Sequence, residues 1–208
     1  MTDAGPVVVG VGNPTMGDDG LGRVVVRRLD GGVASTFAGT TGFFALEAMS
    51  GADSAVVVDA VDGEGPPGTL HRARLDRAAG ETAPEVTLHD LTFADALRSC
   101  RSAYDLPDRV VLVGMVPATV EGGIGLSDRV EAALPAATAA VRAEVGRRPR
   151  HGGRPDMNAR WYCRDCDERI DAEAVDDHED RGHSVRGQLW PDRLLAQDPW
   201  ETGDGGAD

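Results

Sequence analysis

Apolar runs alternate along this chain with segments in which apolar residues recur every three or four positions. The runs are rich in valine and predict β-strands at Val7–Val11, Val33–Phe37, Ala55–Ala60, Gly68–Leu75 and Val110–Val116. The periodic segments predict one helix that begins at Leu21 and others at Phe43–Met49, Leu91–Cys100 and Ser127–Val145. Ser127 is expected to cap the last of these helices.

Two of the predicted strands are apolar almost throughout, namely Ala55–Ala60 (AVVVDA) and Val110–Val116 (VVLVGMV). Such runs are typical of strands that are covered on both faces of a sheet. Because strands and helices alternate, the pattern predicts an α/β fold, with a mostly parallel twisted sheet and helices on both faces.

The composition changes after residue 146. Residues 147–159 carry proline, glycine and arginine without periodicity, which is typical of a linker. A compact Cys/His segment and then a polar stretch follow it. We therefore predict an α/β domain at 1–146, a linker at 147–159, a small zinc-binding module at 160–184 and a polar tail at 185–208.

A glycine-rich loop, GVGNPTMGDDGLG at residues 10–22, follows the first predicted strand. A dinucleotide-binding loop would need a third glycine where this chain has Thr15, and the adjacent Asp18 and Asp19 would repel a pyrophosphate. The loop is therefore more consistent with binding a cation than with binding a dinucleotide.

Three side chains form a candidate metal site at the carboxyl edge of the predicted sheet. Asp19 follows the first strand, Asp59 lies at the end of the third, and His89 precedes the predicted helix at Leu91. Two carboxylates and an imidazole suit a divalent cation that keeps positions open for water or substrate. Each residue also has a simpler interpretation, with the acids as cap and turn residues and His89 as the start of a helix.

The C-terminal segment contains a second group of candidate ligands. Cys163-x2-Cys166 is followed, after eleven residues, by His178-x4-His183, a spacing close to that of a two-cysteine, two-histidine zinc finger. All four positions would be filled by protein, so the predicted zinc is structural. The intervening helix is acidic and would repel phosphates, which favours protein docking over DNA binding. A zinc-stabilised segment without a partner is the alternative.

Charge and hydropathy disfavour other classes of protein. The chain has 21 Lys and Arg against 35 Asp and Glu, a net charge of −14 that disfavours a nucleic-acid partner. It has no apolar stretch near the ~20 residues that a membrane span needs, and no basic-then-apolar leader. The sequence therefore predicts a cytoplasmic protein without a membrane partner.

Five blocks of the sequence occur in the order typical of one known family. They are Gly10–Gly22, Gly39–Gly42, Val57–Gly63 with Pro66–Thr69, Leu88–Asp90 and Val113–Pro117. With these blocks the chain resembles the hydrogenase maturation endopeptidases, which process the large subunit of nickel-iron hydrogenases. The resemblance runs from about residue 7 to residue 145.

By this resemblance, Asp19, Asp59 and His89 are the catalytic and metal-contacting residues. Many relatives have glutamate at the first position, where this chain has the shorter Asp19, and the adjacent Asp18 is an alternative ligand. The resemblance also implies a nickel ion contributed by the substrate, a hydrogenase large-subunit precursor that is cleaved once near its C terminus. The metal would either polarise the scissile carbonyl or mark the bond for recognition.

Two functions follow from the sequence. One is a maturation endopeptidase, and the other is a non-catalytic protein that reads the metal and uses its zinc module to hold a partner. The module lies outside the resembling region, and the expected partners are the hydrogenase precursor or an accessory maturation protein.

Overall fold

The computed structural model describes residues 5–29, 31–75, 87–88, 91–92, 96–97, 100, 103–146 and 158–190. The strands in these ranges are β1 (Val7–Val11), β2 (Ala34–Gly39), β3 (Ala55–Ala60), β4 (Leu70–Arg74), β5 (Thr87–Leu88), β6 (Leu91–Thr92), β7 (Val110–Met115), β8 (Asn158–Cys163), β9 (Glu168–Ile170) and β10 (Val185–Trp190). The helices are α1 (Leu21–Arg28), α2 (Gly42–Met49), α3 (Asp128–Gly146) and α4 (Val175–Asp180), with 3₁₀ turns at Gly17–Gly20 and Ala172–Ala174. None of these described helices is both long and apolar enough to cross a membrane.

One mixed sheet organises the molecule, with the strand order β2-β1-β3-β7-β4-β10-β8-β9. The first four strands in this order are parallel, and all of β7 and most of β3 are buried. Helices α1 and α3 pack on one face of the sheet, and α2 packs on the other. This arrangement confirms the predicted α/β architecture. Helices cover the central strands on both faces, which explains why these strands are apolar at almost every position.

One predicted helix does not begin where the periodicity places it. Leu91–Thr92 forms β6, which pairs antiparallel with β5, whereas residues 96–97 and 100 are helical. The prediction of a helix from Leu91 was therefore wrong at its start. A short apolar segment fits both periods, and only pairing with another strand decides between them.

The C-terminal segment extends the main sheet. Strand β10 pairs antiparallel with β4, β8 with β10, and β9 with β8. Strand β8 begins at Asn158, inside the predicted linker, and β10 continues to Trp190, inside the predicted tail. Backbone pairing between strands that are distant in sequence determines these limits, and a local pattern does not reveal it.

A buried arginine joins this extension to the α/β core. Arg72 of β4 is 2% exposed, and its guanidinium pairs with Glu144 of α3 and Glu179 of α4. Its Nε lies 3.1 Å from Glu144 Oε1, and its Cζ lies 5.6 Å from the centroid of the Trp161 ring. Arg109 also pairs with Glu144. Because buried charges need partners, this network holds α3, β4 and α4 together.

Replacing Arg72 by methionine should lower the free energy of unfolding by about 3–5 kcal/mol, because it removes the buried charge that Glu144 and Glu179 share and leaves them only the more exposed Arg109 and Arg74. Urea unfolding followed by circular dichroism measures this loss. Adding Glu144→Gln and Glu179→Gln to the variant should recover part of it. As a control, Arg129→Met at an exposed site on α3 should change stability by no more than about 0.5 kcal/mol. An equally small loss for Arg72→Met would contradict the role of the network.

Candidate active site and metal centre

Asp19 and Asp59 lie close together at the carboxyl edge of the parallel strands. Strands β1 and β3 are neighbours in the sheet. Asp59 is near the end of β3, and Asp19 lies in the 3₁₀ turn that follows β1. Asp59 is buried and Asp19 is half-buried. Open α/β sheets bind their ligands at this edge, so the structure brings two of the three predicted site residues to a suitable place.

Burial and the neighbouring charge of Asp19 oppose the ionisation of Asp59. Burial, and then the charge of Asp19, raise the pKa of Asp59 to about 8. The Ala60 N–H donates a 2.8 Å hydrogen bond to Asp59 Oδ1, which only partly offsets this rise. Asp19 Oδ2 accepts a 2.8 Å hydrogen bond from the Asn13 N–H. Carboxylates arranged in this way favour either a proton or a cation between them.

The glycines of the first loop allow its backbone to pack closely. A Cβ on Gly12, whose φ is +117°, would lie 1.9 Å from the Asp19 carbonyl oxygen. A Cβ on Gly22 would lie 2.2 Å from the Val11 carbonyl oxygen and 2.7 Å from that of Val58. The turn that carries Asp19 and the start of α1 therefore approach the strands directly, which only glycine permits. These glycines position an acid in the site.

Asp18, the proposed alternative ligand, has a structural role. It is buried, and its carboxylate accepts hydrogen bonds of 2.6–3.1 Å from the N–H groups of Ala118, Thr119 and Ser127 and from the Ser127 hydroxyl. Burial alone would raise the pKa of Asp18, but these hydrogen bonds outweigh it and lower the pKa. Asp18 thus ties the first loop to the loop after β7, and its carboxylate oxygens are already used.

The helix-cap interpretations have opposite outcomes. Neither Asp18 nor Asp19 makes a side-chain capping bond to the 3₁₀ turn or to α1, so that interpretation was wrong. Ser127 does cap α3, since its Oγ lies 3.5 Å from the Val130 nitrogen. His89 lies outside the described residues, and its role as a ligand stays a prediction.

The four predicted zinc ligands form a compact cluster. The donor atoms of Cys163, Cys166, His178 and His183 all lie within 4.8 Å of one another. The Cys166 Sγ lies 3.2 Å from the His183 Nδ1 and 3.6 Å from the His178 Nδ1, and the Cys163 Sγ lies 3.4 Å from the His183 Nδ1. A tetrahedral zinc with two sulfur and two nitrogen ligands would separate such atoms by about 3.5 Å. The donor set therefore fits zinc.

The local sequence explains how this cluster is built. Cys163 ends β8, Cys166 lies in the turn before β9, and His178 lies on α4. Gly182, with a φ of +86°, ends the helical segment, and the His183 N–H then donates a 2.9 Å hydrogen bond to the His178 carbonyl. The sequence did not reveal that Glu179, next to His178, would pair with Arg72, because no local pattern signals a contact so distant along the chain.

The raised pKa of Asp59 predicts a pH effect on stability. The folded protein keeps a proton on this carboxyl up to about pH 8, whereas a carboxyl in the unfolded chain loses it near pH 3.8. The associated stabilisation is fully present below about pH 3.8 and is lost as the pH rises to about 8. Asp59→Asn removes this contribution.

Between pH 5 and pH 8, the wild-type protein should therefore lose up to about 4 kcal/mol of stability more than Asp59→Asn does. Urea unfolding without added divalent cations measures both proteins. Equal dependence on pH in the two proteins would contradict the assignment.

Comparison with known proteins agrees with the resemblance seen in the sequence. The family model described as hydrogenase maturation protease matches residues 30–144, which include Asp59 and end before the Cys/His cluster. The chain is 31% identical over 146 residues to the hydrogenase 2 maturation protease of Escherichia coli K12, covering 67% of this chain and 89% of that protein. It is 33% identical over 169 residues to the hydrogenase expression/formation protein HupM of Azotobacter chroococcum, covering 73% and 80%.

Solved structures give the same result. The hydrogenase maturating endopeptidase HybD of E. coli superposes with a TM-score of 0.56 at 29% identity, covering 68% of this chain and 94% of that one. The hydrogenase 2 maturation peptidase of a Thaumarchaeota archaeon gives a TM-score of 0.51 at 32% identity, covering 68% and 98%. Motifs, identity and fold thus agree, and the chain belongs to the hydrogenase maturation protease family and is a hydrolase.

Proposed function

We propose that this protein is an endopeptidase that removes a C-terminal peptide from the nickel-loaded large-subunit precursor of a nickel-iron hydrogenase. The observation that carries the proposal is the pair of opposed carboxylates, Asp19 and Asp59, at the carboxyl edge of the sheet. The relatives are named as proteases and endopeptidases of hydrogenase maturation, which favours an enzyme over a non-catalytic binding protein.

Nickel enters this proposal as part of the substrate. Asp19, Asp59 and His89 would offer it two oxygen ligands and one nitrogen ligand. A cation at this position favours the ionised form of Asp59, so its arrival displaces the proton that this carboxyl holds below about pH 8. Metal recognition is thereby coupled to the protonation of Asp59, one member of an aspartic-type carboxyl pair beside the peptide bond that is cleaved.

Exposed apolar side chains near this edge support a protein substrate. Among the described residues, the large exposed hydrophobic side chains are Met16, Phe43, Phe44, Val120 and Ile124. They follow the carboxyl ends of β1, β2 and β7, the edge at which the two carboxylates lie. Apolar groups concentrated in this way typically mark a surface that binds another protein.

We also propose that the Cys/His cluster binds one structural zinc ion. Four protein donors satisfy a tetrahedral zinc and leave no position open for a substrate. Trp161 and Val175 of the same segment pack into the main core, so the metal would stabilise an end of the sheet that also contacts the α/β domain. Zinc binding contributes directly to the folding free energy of such small units.

The endopeptidase proposal predicts a discrete change of mass in the substrate. Incubation with a nickel-loaded large-subunit precursor from the same source should remove one C-terminal peptide, detected by mass spectrometry of the intact precursor. Asp19→Asn, Asp59→Asn and His89→Ala should each slow the reaction by at least about 100-fold, because each removes a group from the reacting centre.

A precursor without nickel should stay uncut by the wild-type protein. Asp53→Asn, which changes an exposed acid just before β3, serves as the matched control and should cleave at the wild-type rate. Full activity of Asp59→Asn, or binding of the nickel-loaded precursor without any change in its mass, would overturn the proposal.

The zinc proposal predicts about one zinc per chain in the purified protein, measured by inductively coupled plasma mass spectrometry. Cys166→Ser and His183→Ala should lose most of this zinc and should unfold at a lower temperature. Cys100→Ser changes a cysteine outside the cluster and should keep both properties. Normal zinc content in Cys166→Ser would contradict the assignment.

A further inference from the structure

A groove rich in arginine lies beside the metal-binding extension. It has a volume of about 530 Å³ and is bordered by β4, β8, β9, β10 and the loop after β3. We call it the basic groove. Arg72, which is paired with Glu144 and Glu179, also borders it. Its other charged and polar side chains are Arg160, Arg164, Arg169, Arg186, His71, Tyr162, Asp62 and Glu64. Such a concentration of arginine is notable in a chain whose net charge is −14.

The strand register explains why these side chains meet. Ala73 of β4 is opposite Arg186 of β10, which is opposite Tyr162 of β8, and Tyr162 is opposite Arg169 of β9. Residues opposite each other in a sheet share a face, and so do residues two apart in one strand, which adds Arg160 to this face. Trp161, Cys163 and Val185, at alternate positions on these strands, lie on the other face and are buried.

Some cationic side chains of the basic groove act on one another's charge. Burial lowers the pKa of Arg186, and the charge of Arg164 lowers it further, against an opposing effect of Glu64. Burial also lowers the pKa of His71. A hydrogen bond between His71 Nε2 and the Glu64 carbonyl oxygen, 2.9 Å away, opposes this effect, and the charge of Arg186 adds to it. Cationic groups in the groove thus disfavour one another's charge, and an anionic ligand would relieve that repulsion.

The basic groove also shares its sheet face with Asp59. Asp59 of β3 is opposite Gly114 of β7, and Gly114 is opposite His71 of β4. Because neighbouring strands are about 4.8 Å apart, the groove begins about 10 Å from Asp59 and reaches about 24 Å at β9. A Cβ on Gly114 would lie 2.5 Å from a Val61 methyl carbon, so the loop after β3 crosses the sheet closely between the two sites.

We propose that the basic groove binds an acidic, extended segment of the polypeptide whose bond is cleaved beside Asp59. The identity of this polypeptide rests on the proposed function, whereas the acidic chemistry rests on the groove itself. An extended chain spans about 3.3–3.6 Å per residue and would have to pass the loop after β3, so the acidic residues should lie at least about three residues from the cleaved bond. Arginine suits this role because its planar guanidinium pairs with carboxylates through two hydrogen bonds.

The test measures peptide binding by the full-length protein. The probe is a fluorescein-labelled ten-residue peptide of alternating glutamate and alanine, followed by fluorescence anisotropy, with glutamine and lysine versions for comparison. Only the acidic peptide should bind, and its affinity should fall as salt is added. Arg169→Glu with Arg186→Glu should weaken binding at least about tenfold. Arg169→Glu alone, at an exposed position on β9, should weaken it less and covers the case in which the double variant fails to fold.

A matched control reverses two exposed arginines outside the groove, with Arg23→Glu and Arg129→Glu, and should leave affinity within about twofold of the wild type. Equal weakening by the control pair, or no binding of the acidic peptide, would overturn the proposal. So would binding that occurs only after truncation at Trp190, because the acidic residues 191–208 would then be the occupant.

Binding and cleavage are separated by Asp59→Asn. This variant should bind the acidic peptide as the wild type does while failing to process the precursor. If the wild-type protein binds the acidic peptide but does not process the precursor, the endopeptidase function alone is contradicted. Normal processing without peptide binding would contradict the groove alone.

Discussion

The buried ion pairs of Arg72 are the constraint on which the arrangement of this molecule depends. A guanidinium that is 2% exposed is stable only where carboxylates and hydrogen bonds replace water. Its two carboxylates come from helices that are far apart in the sequence, Glu144 from the α/β core and Glu179 from the helix that carries His178 of the Cys/His cluster. The need to neutralise one charge therefore positions the extension against the core, together with the strands that form the basic groove.

The two adjacent acids of the first loop show how strongly the surroundings decide the role of a carboxylate. Asp18 is surrounded by N–H and hydroxyl donors that stabilise its charge and lower its pKa. Through these hydrogen bonds it links the first loop to the loop after β7. Asp19 turns towards the neighbouring strand end, where its charge helps to raise the pKa of Asp59 to about 8. The first arrangement stabilises the fold, whereas the second keeps a carboxyl protonated near neutral pH.

Strand β8 divides its side chains between two functions by simple alternation. Trp161 and Cys163 point to the core side, where Trp161 packs beneath the guanidinium of Arg72 and Cys163 belongs to the Cys/His cluster. Arg160 and Tyr162 point to the opposite face and border the basic groove. A period of two residues thus lets one strand contribute to the Cys/His cluster and to the basic groove together. The extension adds both features to a sheet whose parallel half carries the paired carboxylates.

The sequence by itself determined most elements of the α/β domain, the placing of Asp19 and Asp59 after strand ends, and the four members of the Cys/His cluster. Each of these follows from local periodicity or from ligand spacing, which the chain displays directly. Only the tertiary structure decided that Asp18 is structural, that β6 begins at Leu91, and that β8 and β10 continue the main sheet. It alone revealed Arg72 as the link to the extension. These outcomes depend on strand register and on charge pairing between residues far apart in the chain, and no local pattern encodes such contacts.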